Sequence, residues 1–301
     1  MIEFFERVYY NPKWYHYIIS IMLLPLSLIY ALVGLFKLFF SKPKDYGIKI
    51  ISIGNITVGG SGKTPFAIEL IKYFKELKVC YISRGYGRVS KGLLWVKKEG
   101  KILQNVEQSG DEAMLVANST NADVIVSKDR AKAIELAKGN GADLIILDDA
   151  FSKVNIKKFD ILLEAKELKN RFVLPSGPLR EFYFSRSRAD LILKEEIDFK
   201  RVVEFENLSD KMLLVTAIAN PNRLEPYLPK GVVAKLILKD HSFFKKEQII
   251  QKMQEIGAKT ILTTQKDMVK LEEFNLPITL MKLRLNIEDK VFKEIDRYYA
   301  K

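Results

Sequence analysis

A chain of 301 residues, 48% hydrophobic and 29% charged, is long enough for two domains with real cores and too charged for a polytopic membrane protein. Its formal net charge of +12 suits an anionic partner: nucleic acid, an acidic lipid surface or an acidic substrate. The single cysteine, Cys80, excludes an intrachain disulfide; set in the apolar run VCYIS, it reads as a buried strand residue in a reducing compartment.

The first element is apolar. Between residues 13 and 37 there is no Asp, Glu, Lys or Arg. At about 1.5 Å per residue such a helix crosses a bilayer core of roughly 30 Å. Pro25 interrupts it and predicts a kink. Tyr15, Tyr17, Tyr30 and Phe36 are placed as interfacial aromatics, and His16 as an interfacial polar residue. Lys37, Lys42, Lys44 and Lys49 follow, which assigns the bulk of the chain to the cytoplasmic side. The run is too long for a cleaved signal peptide. A spanning helix and one lying in the interface both remain open, with a buried core helix as the alternative.

Next comes a strand, a glycine loop and a helix. IKIISI (48–53) reads as a buried strand and PFAIELIKYFKEL (65–77) as a helix with Ala67, Leu70, Ile71 and Phe74 on one face. Between them lies GGSGKT: Gly59, Gly60, Ser61, Gly62, Lys63 and Thr64. Glycines let backbone N–H groups approach phosphate oxygens, the lysine supplies charge to the outer phosphates, and the threonine hydroxyl suits Mg²⁺. The full G-x-x-x-x-G-K-[ST] pattern is not met, because Thr57 stands where the first glycine belongs. A phosphate loop also needs an acidic strand end, and ADLIILDDAF (142–151) offers Asp148 and Asp149.

Strand-like runs VCYIS, ADVIVS, DILLEA and ADLILK alternate with helical ones such as DRAKAIELAKG. That alternation predicts an α/β fold, a mainly parallel sheet with helices on both faces and with function gathered in the loops at the carboxyl ends of strands. Four such loops are rich in polar residues. SRGYGR (83–88) brings Arg84 and Arg88, suited to an anion. SGDEA (109–113) brings Asp111, either a functional carboxylate or a helix N-cap. SKDR (127–130) sets Arg130 at a helix start. LPSGPLRE (174–181) ends in Arg180 and Glu181.

Beyond residue 205 the strands LLVTAIA, VVAKLILK and TILTT alternate with helical runs, which predicts a second, smaller α/β lobe. RVVEFEN and ITLMKLRLN read as strands linking the lobes, and VFKEIDRYYAK as a helix returning to the first. The expected division is a membrane-associated segment at 1–45, a P-loop nucleotide-binding domain at 46–205 and a second lobe at 206–301.

Taken in order, GN..VGGSGKTP (54–65), SRGYG (83–87), GDE (110–112), DR (129–130), DDAF (148–151), LPSGPLRE (174–181), DH (240–241) and TTQKD (263–267) resemble the tetraacyldisaccharide 4′-kinases of lipid A biosynthesis. The resemblance implies a membrane-associated P-loop kinase that moves the γ-phosphate of ATP, with Mg²⁺, to the 4′-hydroxyl of an acylated glucosamine disaccharide 1-phosphate. It places the enzyme at the cytoplasmic face of the bacterial inner membrane. Lys63 then stabilises the transferring phosphoryl group, and Thr64 and Asp148, with Asp149 or Glu181, place Mg²⁺. Asp111 is the base, oriented by His241, the two coming from different lobes that must close. Asn55, Arg84, Arg88 and Arg130 are assigned to the acceptor or to nucleotide phosphates. The chain departs from the family's DDGFQH at Ala150, Ser152 and Lys153, and has Ala113 where proline is common. A membrane-tethered P-loop GTPase or regulatory ATPase is the alternative. N-K-x-D is missing, and Val58 occupies the place of a second P-loop lysine. No nucleic-acid recognition motif is present, and no obligate protein partner is expected.

Overall fold

The computed structural model describes residues 7–10, 12–59, 62–164, 168–218 and 220–300. After a helical turn at 7–10 come α1 (Trp14–Met22) and α2 (Leu24–Phe40). β1 (Lys49–Gly54) leads through the glycine loop into α3 (Lys63–Tyr73). Then follow β2 (Val79–Ser83), β3 (Leu94–Lys98), β4 (Lys101–Ile102), α4 (Val106–Ser109), α5 (Asp111–Ser119), β5 (Asp123–Val126), α6 (Arg130–Gly139), β6 (Leu144–Asp148), β7 (Phe159–Glu164) and β8 (Leu191–Lys194). The rest comprises β9 (Phe199–Glu206), β10 (Met212–Thr216), β11 (Val232–Ile237), α7 (Lys246–Ile256), β12 (Thr260–Thr264), α8 (Gln265–Met268), β13 (Ile278–Ile287) and α9 (Asp289–Ala300). The fold is α/β with mainly parallel strands.

The chain forms two compact units. The first comprises Met1–Lys63, Leu144–Lys200 and Ile287–Lys301. Its strands run β6-β1-β7-β8, all parallel. Ile50, Ile51 and Ile53, residues 144–147 and residues 161–163 are all buried. Such unbroken apolar runs, rather than alternation, are what strands covered on both faces require. The C-terminal helix α9 does return to this sheet. The Tyr298 hydroxyl donates to Ile50 O at 3.1 Å, and its ring stacks on Phe159 with centroids 4.7 Å apart.

The apolar amino-terminal run is two helices rather than one. They meet at Leu23 with a 60° bend, and Pro25 falls in the first turn of α2, where its missing N–H costs nothing. No single described helix is long and apolar enough to cross a membrane; the bent pair together is, by length and composition. Its polarity is inverted relative to a soluble helix. His16, Ser20, Ser27 and Ala31 are buried, while Trp14, Met22, Phe36, Phe39 and Phe40 are exposed. The polar face is pinned to the protein: Ser27 Oγ lies 2.7 Å from Ser176 Oγ and accepts from Ser176 N at 3.0 Å. His16 is therefore not an interfacial residue. It is 4% exposed, and its Nδ1 accepts from Lys13 N at 3.0 Å, closing the start of α1.

The second unit comprises Thr64–Asp143 and Arg201–Asn286. One group of strands runs β4-β3-β5-β2, with β2 parallel to β5 and β3 antiparallel to both neighbours. Cys80 lies in β2 at 1% exposure, and burial pushes its thiol pKa up. The other group is a five-stranded sheet ordered β11-β10-β12-β13-β9, in which the pairings β11-β10, β10-β12 and β12-β13 are parallel. β13 and β9 run antiparallel as neighbours, as the ion pairs Lys282–Glu206 and Arg284–Glu204 require.

Candidate active site

Two clusters of charged side chains stand at strand ends, one in each unit. The first follows β1. Asn55 Oδ1 accepts from Lys63 Nζ at 3.1 Å, and its Nδ2 donates to Thr57 Oγ1 at 3.2 Å. Thr57, in place of the usual first glycine, is buried and helps hold Asn55. Gly59 and Gly62 have φ of +96° and +82°, a region open to glycine and strained for other residues. Gly60 and Ser61 lie outside the described residues. Lys63 begins α3, and the buried Thr64 follows it.

β6 delivers the acidic pair. Asp148 is buried at the strand end, whereas Asp149 turns into the left-handed region at φ +49°, its N–H donating to Ile53 O at 2.9 Å. That turn sends its carboxylate to Lys63 at 3.5 Å and to Arg180 Nη1 at 2.7 and 2.8 Å. Burial would raise the pKa of Asp149; the Lys63 and Arg180 cations outweigh burial and hold it below the usual carboxylate value. A Cβ on Gly54 would stand 2.6 Å from Phe151 Cβ, so glycine lets the DDAF turn close on β1. Ala150 is fully buried, while Ser152 and Lys153 are exposed.

The LPSGPLRE segment braces this loop. Val58 N donates to Pro178 O at 2.9 Å and Arg180 N to Ile56 O at 2.7 Å. Gly177 is obligatory there, since a Cβ would meet Asn170 Oδ1 and Phe172 O at 2.4 Å. The segment thus aims Arg180, which the sequence reading gave no role, at Asp149. Glu181, a predicted metal ligand, is instead ion-paired with Arg188.

Among the described residues no three His, Cys, Asp or Glu side chains converge as a metal cluster. Mg²⁺ held against nucleotide phosphates needs only one or two carboxylates. Asp148, a hard oxygen donor beside the loop, fits that demand better than Asp149, which carries two cations.

The second cluster centres on Asp111, the first residue of α5. Gly110, at φ +84°, takes the N-cap position, so Asp111 is not the cap. A Cβ on Gly110 would come within 2.7 Å of Tyr86 O, which keeps the SRGYG loop tight against the helix start. His241 Nδ1 lies 2.9 Å from both Asp111 oxygens, and since a carboxylate only accepts, Nδ1 carries the proton. The pair expected to need closure is already assembled. His241 holds φ +60°, with its N–H donating to Ala217 O at 3.1 Å. The Tyr86 ring packs on the imidazole with centroids 4.8 Å apart.

Two lysines absent from the predicted site complete this cluster. Lys270 Nζ is 3.0 Å from Asp111 Oδ2, and Lys266 Nζ is 3.6 Å from the same oxygen. Burial alone would raise the Asp111 pKa. The His241 hydrogen bond and the two ammoniums more than reverse this, and the carboxyl ionises well below its usual range. Lys266 belongs to the TTQKD motif and Lys270 lies one helical turn later, so the motif was visible although its use was not. Asp267 between them ties β10 to β12, its Oδ2 accepting from Thr216 Oγ1 at 2.7 Å and from Ala217 N at 3.2 Å.

The arginines assigned to anion binding diverge. Arg84 is exposed. Arg88 donates to Val126 O at 3.3 Å and to Gly92 O at 2.5 Å, bracing its own loop. Arg130 is buried at the start of α6 and donates to Ser127 O.

Comparison with known proteins agrees with this architecture. Residues 19–299 match the family model of LpxK, tetraacyldisaccharide-1-P 4′-kinase. A tetraacyldisaccharide 4′-kinase of Aliarcobacter butzleri is 47% identical over 304 residues, covering 97% of this chain and 96% of the relative. One from Helicobacter pylori is 43% identical over 297 residues, covering 98% and 94%. The crystal structure of LpxK from Aquifex aeolicus in complex with ATP superposes with a TM-score of 0.79 at 29% identity, covering 93% of this chain and 99% of that one. The chain is an ATP-dependent kinase and belongs to the tetraacyldisaccharide-1-P 4′-kinase family.

Proposed function

We propose that the protein transfers the γ-phosphate of ATP to the 4′-hydroxyl of a tetraacylated glucosamine disaccharide 1-phosphate, working at the cytoplasmic face of the bacterial inner membrane. The observation that carries this reading is the Asp111–His241 pair, a preformed proton acceptor in a P-loop protein. A P-loop ATPase that hydrolyses ATP needs only to orient a water; a sugar hydroxyl gains more from a base that takes its proton.

In this reading the backbone N–H groups of residues 59–64 cradle the nucleotide phosphates. Lys63 leaves Asp149 and Asn55 for the transferring phosphoryl group. Arg180 then remains to hold Asp149 in place. Asp148 and the Thr64 hydroxyl would hold Mg²⁺, which when bound neutralises charge on the phosphates. The acceptor hydroxyl attacks phosphorus, the bond to the ADP oxygen breaks, and the hydroxyl proton passes to the Asp111–His241 pair. Asp149 and Glu181 act as orienting carboxylates rather than metal ligands. Arg84, the exposed arginine of the SRGYG loop, is the better candidate for the acceptor's phosphate; Arg88 and Arg130 are committed to backbone carbonyls.

Membrane association is supported by α1 and α2, whose exposed Phe, Leu, Ile and Trp side chains are costly in water and favourable in lipid. With the small and polar residues turned inward, the pair is built to face acyl chains, where the acceptor lies. The test is transfer of labelled phosphate from γ-labelled ATP to a tetraacyldisaccharide 1-phosphate in mixed micelles, with the deacylated disaccharide as control. Hydrolysis of ATP without phosphorylation of the lipid would refute the reading.

A further inference from the structure

We propose that Lys270 is a positioning residue for phosphoryl transfer: its buried ammonium clamps Asp111 so that both carboxylate oxygens stay turned to His241. The inference rests on the kinase reading of the Asp111–His241 pair and adds to it a third, cationic member.

A lysine is almost never fully buried without a partner. The Lys270 side chain is 2% exposed and that of Asp111 1%, with Nζ and Oδ2 3.0 Å apart. The charged and titratable groups around Asp111 come from several elements. His241 and Asp240 lie on the segment after β11, Lys266 and Asp267 on α8, Lys270 just beyond it, and Glu112 on the same helix as Asp111. Lys266 is shared among three carboxylates, at 3.6 Å from Asp111, 3.8 Å from Glu112 and 3.5 Å from Asp240. Lys270 makes the shorter contact and is the more buried of the two. The ammonium also lies over the Phe243 ring, 5.8 Å from Nζ to centroid.

The clamp has two consequences. Nδ1 sits equally far from both Asp111 oxygens, so the His241 contact alone does not fix which oxygen faces which way. Oδ1 accepts from Glu112 N at 3.0 Å, and the Lys270 ion pair, with Lys266 farther off, holds Oδ2, so Lys270 supplies the closer of the two cations that hold the second oxygen. The same charge adds to the His241 hydrogen bond and to Lys266 in favouring the ionised carboxylate, which supports an imidazole that gains a proton. Lys270 acts through Asp111 and has no role in holding nucleotide.

The test compares Lys270→Met and Lys270→Arg in the full-length protein, using ATP and micellar tetraacyldisaccharide 1-phosphate. Lys270→Met is expected to lower kcat by about tenfold to a hundredfold, at or below the low end of what a base contributes, and to leave the KM for ATP within about twofold. Lys270→Arg keeps the charge and should restore kcat. A Lys270→Met enzyme with kcat within about threefold of wild type, or one whose loss matches its unfolded fraction, overturns the proposal. Should Lys270→Met fail to fold, Lys270→Gln replaces it: equal kcat in the Arg and Gln variants would overturn the clamp. A wild-type enzyme that phosphorylates no acceptor defeats the kinase reading and the clamp together. An active wild type with a silent Lys270 defeats the clamp alone.

Discussion

The two charged clusters are built to opposite specifications. In the P-loop cluster the Lys63–Asp149 pair is half open, with side chains 13% and 39% exposed and 3.5 Å apart. In the other, Lys270 and Asp111 are 2% and 1% exposed and 3.0 Å apart. A partly solvated pair is weak and exchanges partners at little cost. A buried pair is costly to break, because the charge left behind has no water to replace its partner. In the proposed reaction Lys63 is the side chain that changes partners, leaving Asp149 for a phosphate, and Asp111 is the one held where it stands.

Exchange and fixity predict different mutational behaviour. The largest effect belongs to the side chain that moves. Lys63→Ala should take turnover to background while the melting temperature changes little, because a half-open pair adds little stability. Turnover near wild type would break the first half of the comparison.

Next is the fixed pair. Asp111→Ala and His241→Ala should each lower kcat by about 10²–10⁴-fold. The double variant should be scarcely worse than either single one, because groups acting as a unit are not additive. Losses that simply multiply would mean that the two residues act separately, despite their 2.9 Å contact.

A smaller effect is expected at the apolar face. Replacing the exposed Phe39 and Phe40 of α2 by Glu should weaken recovery on anionic vesicles by roughly tenfold, since each buried Phe is worth about 1.5–3 kcal/mol and interfacial burial is partial. Catalysis toward a soluble, short-chain acceptor should be spared. Unchanged vesicle binding would show that the lysines after the helix, and not the apolar row, provide the attachment.

How much of this was legible in the sequence follows the same division. The parallel core was readable, because buried parallel strands spell unbroken apolar runs such as IIS and LIIL. The glycine loop was readable for the same reason a phosphate needs it: backbone approach demands glycine. The bend at Leu23 was half readable. Pro25 announced a break, but nothing local says that a helix will turn by 60° or bury its serines against residues 170–176. The ion pair of Glu181 was not legible, because its partner, Arg188, lies seven positions on along a segment with no regular period. Lys270 was missed because a lysine on a short helical turn looks like a solvated one. Only the tertiary fold, which places Asp111 opposite it, turns that charge inward. The left-handed backbone at Asp149 and His241 is likewise invisible locally, since neither residue is a glycine.

The smallest expected effect, and the sharpest test of fixity, is on stability against pH. The ionisation of Asp111 occurs well below its usual range in the folded protein, and near pH 4 in the unfolded chain. A depressed carboxyl stabilises the fold fully above the unfolded value, and that contribution is lost as pH falls toward the folded one. Asp111→Asn removes the charge at every pH and leaves His241, Lys266 and Lys270 facing a neutral amide. The melting-temperature gap between wild type and Asp111→Asn should therefore be constant from about pH 5 to 8 and narrow below about pH 4, as wild type gives up the same charge. Asp149→Asn removes a carboxylate that is also depressed but 39% exposed, so its gap should be smaller throughout. Equal gaps for the two variants would erase the distinction between the clusters. A gap at Asp111 that stays flat down to pH 3 would mean that packing, not charge, holds the pair together.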